Sequence, residues 1–219
     1  MPLSPATKLV SEVIANVKRQ FGDESGAQIT DADIIRWIND GQLELNKKSK
    51  VIKTIATTTS VAGQNKYDLP GVKILEVERL QYKNTAIEYR TFQQVQETIF
   101  DDVADVSTLS ADIPTCWYDY GDSIYFFPVP STNGVTITLF CVTYPTTVSS
   151  TTDALSLPDV FYDALVQYIM AKAYEMDDDW TAAGNKLTQL ENNLNSLNED
   201  GQGYGNQFYH SITVLEDDA

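Results

Sequence analysis

"LPDVFYDALVQYIMAKAYEMDDDWTAAGNKLTQLENNLNSL", residues 157–197, is the stretch that decides the fold. It reads as two helices joined by the hinge Asp177-Asp178-Asp179. In the second, Trp180, Ala183, Leu187, Leu190, Leu194 and Leu197 recur at steps alternating three and four. That spacing makes a narrow apolar seam, and a seam needs a partner. The boundaries follow from local chemistry: Pro158 suits a first helical turn, and Asp179 suits an N-cap. Helices are therefore predicted over Pro158–Met176 and Asp179–Asn198. A coiled coil with another chain normally asks for three to four heptads, so the partner is sought within this chain.

The other end of the chain supplies it. Ser4-Pro5 precedes Leu9, Val10, Val13, Ile14, Val17 and Phe21 at helical spacing, which predicts a helix over Pro5–Phe21. Gly22 and Gly26 bracket a loop, and "TDAD" from Thr30 reads as a capping box with Asp33 in the reciprocal position. The helix that follows, Asp31–Ser49, carries Ile34, Ile35, Trp37, Ile38, Leu43 and Leu45 and ends in lysines that suit a helix C-terminus.

Between the helical ends the texture changes to Thr, Val, Ile and Tyr, residues that favour strands. Strands are predicted in Val51–Ala62, Asn65–Pro70, Val72–Tyr82 and Ala86–Arg90, then a short helix in Thr91–Phe100 and a polar loop in Asp101–Asp112. A hairpin follows over Thr115–Pro130, turning near Gly121-Asp122. In Val135–Tyr144 the residues Val135, Ile137, Leu139 and Cys141 alternate with Phe140, Val142 and Tyr144 on the opposite face. Residues 145–158 return the chain to helix. The fold class is α+β: a four-helix bundle built from both chain ends, an inserted β-rich module and an extended C-terminal arm. The segments are 1–50 and 149–200 for the bundle, 51–148 for the module and 201–219 for the arm.

Composition bounds the function. The chain has 219 residues, 42 % of them hydrophobic, and a net charge of −16. Such a charge disfavours tight adhesion to DNA, which depends on Lys and Arg displacing counterions, yet suits a wall past which DNA slides. No apolar run is long enough to span a bilayer and no signal-peptide core opens the chain. A soluble protein made in a reducing cytoplasm is expected, with Cys116 and Cys141 as buried free thiols in preference to a cross-strand disulfide.

Catalytic patterns are missing. His210 is the only histidine, and neither a zinc motif nor a phosphate-binding glycine loop occurs. The three aspartates lack the spacing of a calcium loop. No enzyme activity, metal or cofactor is expected. Trp117 and Tyr118 offer a sugar-stacking pair if exposed, although strands carry aromatics for packing too. After Asp200, glycines at 201, 203 and 205 loosen the chain, and Tyr204, Phe208, Tyr209, Ile212, Val214 and Leu215 make it too apolar for a purely solvated tail. Two readings stand here: the segment folds back onto the β-rich module, or it is an arm whose Ser211–Leu215 adds as a strand to an exposed sheet edge elsewhere.

The order of these motifs resembles the head-to-tail adaptor (connector) proteins of tailed bacteriophages, the short-tailed type in particular. "IIRWINDGQLEL", the β-rich middle ending in "YGDSIYFFPVPSTNGVTITLFCVTYPTTV", and the helical pair after Leu157-Pro158 carry the resemblance. Within them, Phe127-Pro128-Val129-Pro130 and Tyr144-Pro145 are its most specific parts. The resemblance implies a homo-oligomeric ring, usually of twelve copies, mounted under the portal protein. It extends the channel for double-stranded DNA without reading sequence and gives tail tube, nozzle or fibre proteins a platform. It places the chain in the neck of the virion and, during assembly, in the host cytoplasm, and makes the portal the receptor of the arm. The large module over 51–148 departs from many relatives. Alternatives are a tail-completion or fibre-docking protein, and a carbohydrate-binding module using Trp117 and Tyr118.

Overall fold

The structure, a computed structural model, describes residues 6–68, 73–99, 111–121 and 123–199. The expected arm and its six contact residues, His210, and most of the polar loop after Phe100 lie outside them. The fold is α+β. Its helices are α1 (Val10–Phe21), α2 (Asp31–Ser49), α3 (Phe92–Ile99), α4 (Tyr162–Met176) and α5 (Trp180–Glu199). Its strands are β1 (Lys53–Thr59), β2 (Lys66–Asp68), β3 (Ile74–Tyr82), β4 (Thr85–Tyr89), β5 (Cys116–Tyr120), β6 (Ser123–Phe127) and β7 (Thr136–Thr143). The chain forms two compact units, Lys53–Thr143 and the segments on either side of it.

In the helical unit α4 is central. Ala164, Leu165, Val166, Ile169, Met170, Ala171 and Ala173 leave it with buried residues nearly all round, as a helix enclosed by others must be. α1, α2 and α5 each pack on α4, and α1 packs on α2. Val13, Val17, Ile34, Ile38, Leu45, Phe161, Leu190 and Leu194 belong to one core, so helices from both ends of the chain share it. Gly41 permits the close approach of α2 to α4: a Cβ there would lie 2.7 Å from Leu165 Cδ1 and 2.8 Å from Tyr168 Cδ1.

Polar clamps set the boundaries. The Thr30–Asp33 capping box forms as the sequence predicts, and α2 begins at Asp31 and ends at Ser49. α1 begins later than the expected Pro5. Its reason is non-local: Thr7 N–H (2.8 Å), the Thr7 hydroxyl and Lys8 N–H (3.2 Å) donate to the Asp159 carboxylate. The first free amides of the helix, Val10 and Ser11, then donate to the carbonyls of Asp153 (3.0 Å) and Thr151 (2.9 Å). These bonds hold residues 7–9 extended and give the first α1 amides their partners. Residues 145–157 are likewise not helical. The Asn39 amide binds both backbone groups of Val148 at 2.9 Å, and Gln42 Oε1 accepts from Ser156 N–H at 2.6 Å. Pro158 lies just ahead of a 3-10 turn (Asp159–Phe161), and α4 starts at Tyr162.

The α1–α2 loop turns around Asp23, whose carboxylate accepts from Ala27 (2.9 Å), Gln28 (2.8 Å) and Ile29 (2.8 Å) N–H and from the Ser25 hydroxyl (3.0 Å). The Ile29 amide leads in holding this carboxyl down at about 2. A depressed folded value gives stability that is present above the unfolded pKa near 4 and lost as pH falls through the folded value. Asp23→Asn is expected to melt at a lower temperature at neutral pH. The gap to the parent chain should narrow between about pH 4 and pH 2, as thermal melts across that range would show.

The sheet unit has strand order β1-β7-β3-β4-β5-β6-β2. Neighbours are antiparallel except β4 and β5, which pair in parallel at Glu88–Cys116 and Tyr89–Trp117. Leu80, Tyr82, Trp117, Ile124, Phe126, Ile137, Leu139 and Cys141 form its main core. α3 covers the other face of β5 and β6, where Val95 meets Cys116 and Tyr118. In β7 the expected alternation holds for Ile137, Leu139 and Cys141, but Val142 is buried as well. Cys116 and Cys141 are buried and unbridged.

Candidate functional site

The α4–α5 hairpin presents the largest exposed aromatic of the helical unit. Asp178 takes the left-handed conformation that reverses the chain (φ 58°), and Asp179 Oδ1 caps α5 by accepting from Ala182 N–H at 2.9 Å. The cap fixes where α5 starts, and its start fixes which side chains face inward. Ala183, Leu190 and Leu194 are buried, and Leu197 packs against the core edge. Trp180 is 67 % exposed and Leu187 is exposed too, with Met176 close by in sequence at the end of α4. The six seam residues thus divide: four face the chain's own core and two face outward. Trp180, Gly184 and Leu187 recur at steps of four and three, so they lie along one line of the helix. A Cβ at Gly184 would meet nothing within 4 Å, so the line has a hollow between its two large side chains. An aromatic and an aliphatic residue around a hollow are what a partner helix or loop packs into.

In the sheet unit the sugar-stacking pair is not available. Trp117 is 3 % exposed and Tyr118 7 %. Trp117 packs edge-on against Tyr89 (4.8 Å), and Tyr118 stacks on Tyr125 (5.1 Å). Among the described residues of this unit the exposed aromatics are Tyr89, Phe92 and Tyr120. Phe92 and Tyr120 touch at 5.0 Å, and the Tyr89 hydroxyl donates to Asp119 at 2.8 Å. That hydrogen bond, with burial behind it, raises the Tyr89 pKa.

Neither thiol is poised for chemistry. Burial pushes Cys141 up to about 11, with Glu78 adding to the rise, and burial raises Cys116 against the pull of Arg90. Among the described residues no three acidic, histidine or cysteine side chains gather as metal ligands, and no helix is long and apolar enough to cross a membrane. The sheet interior holds a cavity of about 10 Å³ between Tyr67, Leu80, Ile124 and Leu139, no more than a single water needs.

The sequence model of the SU10 adaptor protein family matches residues 9–210. The chain belongs to that family. The match runs through both helical segments and the sheet unit, and it agrees with the head-to-tail adaptor resemblance carried by the chain's own motifs. SU10 adaptors are structural phage proteins, components that work in contact with other capsid and tail proteins. No curated protein matches the chain. Sequence periodicity missed the outward turn of Trp180 and Leu187, because a seam spacing marks a line of apolar residues without saying how wide the buried face is. The exposed pair Phe92 and Tyr120 did carry a signal, since each stands at the end of its element.

Proposed function

We propose that this SU10-family adaptor forms a homo-oligomeric ring of about twelve copies under the portal, extending the DNA channel and giving the tail its platform. The observation that carries this reading is the family match over residues 9–210. The two-sided seam of α5 supports it, because a ring subunit needs an outward packing face beyond its own core. In this reading α1, α2, α4 and α5 are the expected four-helix bundle and form the ring body, with Trp180 and Leu187 against the neighbouring copy. The sheet unit faces tail tube, nozzle or fibre proteins. The residues after α5 act as an arm that carries Tyr204, Phe208, Tyr209, Ile212, Val214 and Leu215 to the portal.

Charge fits the channel. With 31 acidic and 15 basic side chains, the ring offers few cations to displace counterions, so duplex DNA passes without sticking. The adaptor acts in the virion neck after assembly in the host cytoplasm. The test is reconstitution with DNA-filled heads that bear the portal and lack this chain. Added chain is expected to bind the portal end and to make the heads competent for tail attachment. Heads that acquire tails equally well without it would overturn the reading.

A further inference from the structure

The two edges of the sheet are treated differently. β2 is three residues long and flanked by its own charges, Lys66 and Asp68, paired at 3.3 Å. Short length and charge are how proteins blunt an edge against further pairing. β1 has neither device. It runs seven residues and pairs with β7 one-to-one without a bulge, and the chain carries no charge or proline from Thr54 to Ala62. Ser60 N–H donates to Val135 O at 2.8 Å, which sets the alternation of the ladder. The backbone groups of Thr54, Ala56 and Thr58 therefore face β7, and those of Ile55, Thr57 and Thr59 face an edge with which no strand of the described residues pairs. Ile55 is 63 % exposed, and Val61 is exposed beyond the strand end. An edge this long and uncharged is a template for another strand.

The chain itself contains a segment of matching chemistry. Ser211–Leu215, "SITVL", is uncharged, β-branched and free of Gly and Pro, and the loosening glycines precede it. The eleven residues Asp200–His210 between α5 and this segment reach at most about 36–40 Å when extended. We propose that, in adaptor not yet mounted on a portal, Ser211–Leu215 of a second copy adds to the open edge of β1. Each copy has one such edge and one such segment, so the exchange links copies head to tail, the heterologous contact that a closing ring requires. The segment also covers an aggregation-prone edge until the arm engages the portal. The inference rests on the arm reading of these residues and stands or falls apart from the ring's place under the portal.

Residue-resolved amide exchange of the full chain tests it. In concentrated protein the amides of Ile55, Thr57 and Thr59 are expected to exchange roughly tenfold or more slowly than in the Val214→Pro variant, whose proline removes a ladder donor. Dilution should release this protection as the mass falls to that of a monomer. Fast exchange in the concentrated parent chain, or slow exchange unaffected by Val214→Pro, overturns the proposal. Protection that survives dilution to the monomer overturns the second copy as its source.

Discussion

Leu190→Ala is expected to destabilise the helical unit by about 2–5 kcal/mol, whereas Trp180→Ala changes its stability by no more than about 0.5 kcal/mol. Both residues belong to the same heptad-like line on α5. Leu190 is 4 % exposed within the core shared by α1, α2 and α4, so truncation leaves a cavity that close-packed neighbours cannot fill. Trp180 stands in solvent at the first turn, where its loss removes little from the fold. Denaturant unfolding of the two variants reads the difference directly. Equal destabilisation would mean that the seam does not divide as described, and a tolerated Leu190→Ala would remove α5 from the core.

The second large effect falls on assembly. Replacing Trp180 and Leu187 together by Ser is expected to leave the melting temperature nearly unchanged and to abolish ring formation. A buried Trp at the centre of a contact is worth about 2 kcal/mol or more, on the order of thirty-fold in affinity, and the proposed ring would repeat that contact at every subunit. The mass of the assembled species on portal-bearing heads is the measurement. A ring that still forms moves the neighbour contact elsewhere on the subunit.

Where the sequence was legible, the determinants were local. α2 is bounded by a capping box written in Thr30 and Asp33 and by the lysines at its end, and it spans Asp31–Ser49 as predicted. The hairpin of β5 and β6 was readable because Gly121 supplies the positive φ that its turn needs. Where the sequence misled, a distant partner decided. Nothing near Ser4-Pro5 reveals that Asp159 and the carbonyls of Thr151 and Asp153 receive the amides of residues 7, 8, 10 and 11. Trp117 and Tyr118 point to opposite faces of β5, and the sequence left both sugar stacking and packing open for the pair. Both are dry because the main core lies on one face and α3 on the other, so exposure returns at Asp119 and Tyr120. The division of the α5 seam was equally out of reach, since it depends on how far α4 and its neighbours wrap around the helix.

Electron microscopy of the intact particle decides whether the chain is, as proposed, a ring subunit of the neck. With the chain marked by a fused density tag, a ring of about twelve tags is expected between portal and tail, surrounding the DNA channel. Tags scattered on fibres, or absent from the neck of complete particles, would contradict it.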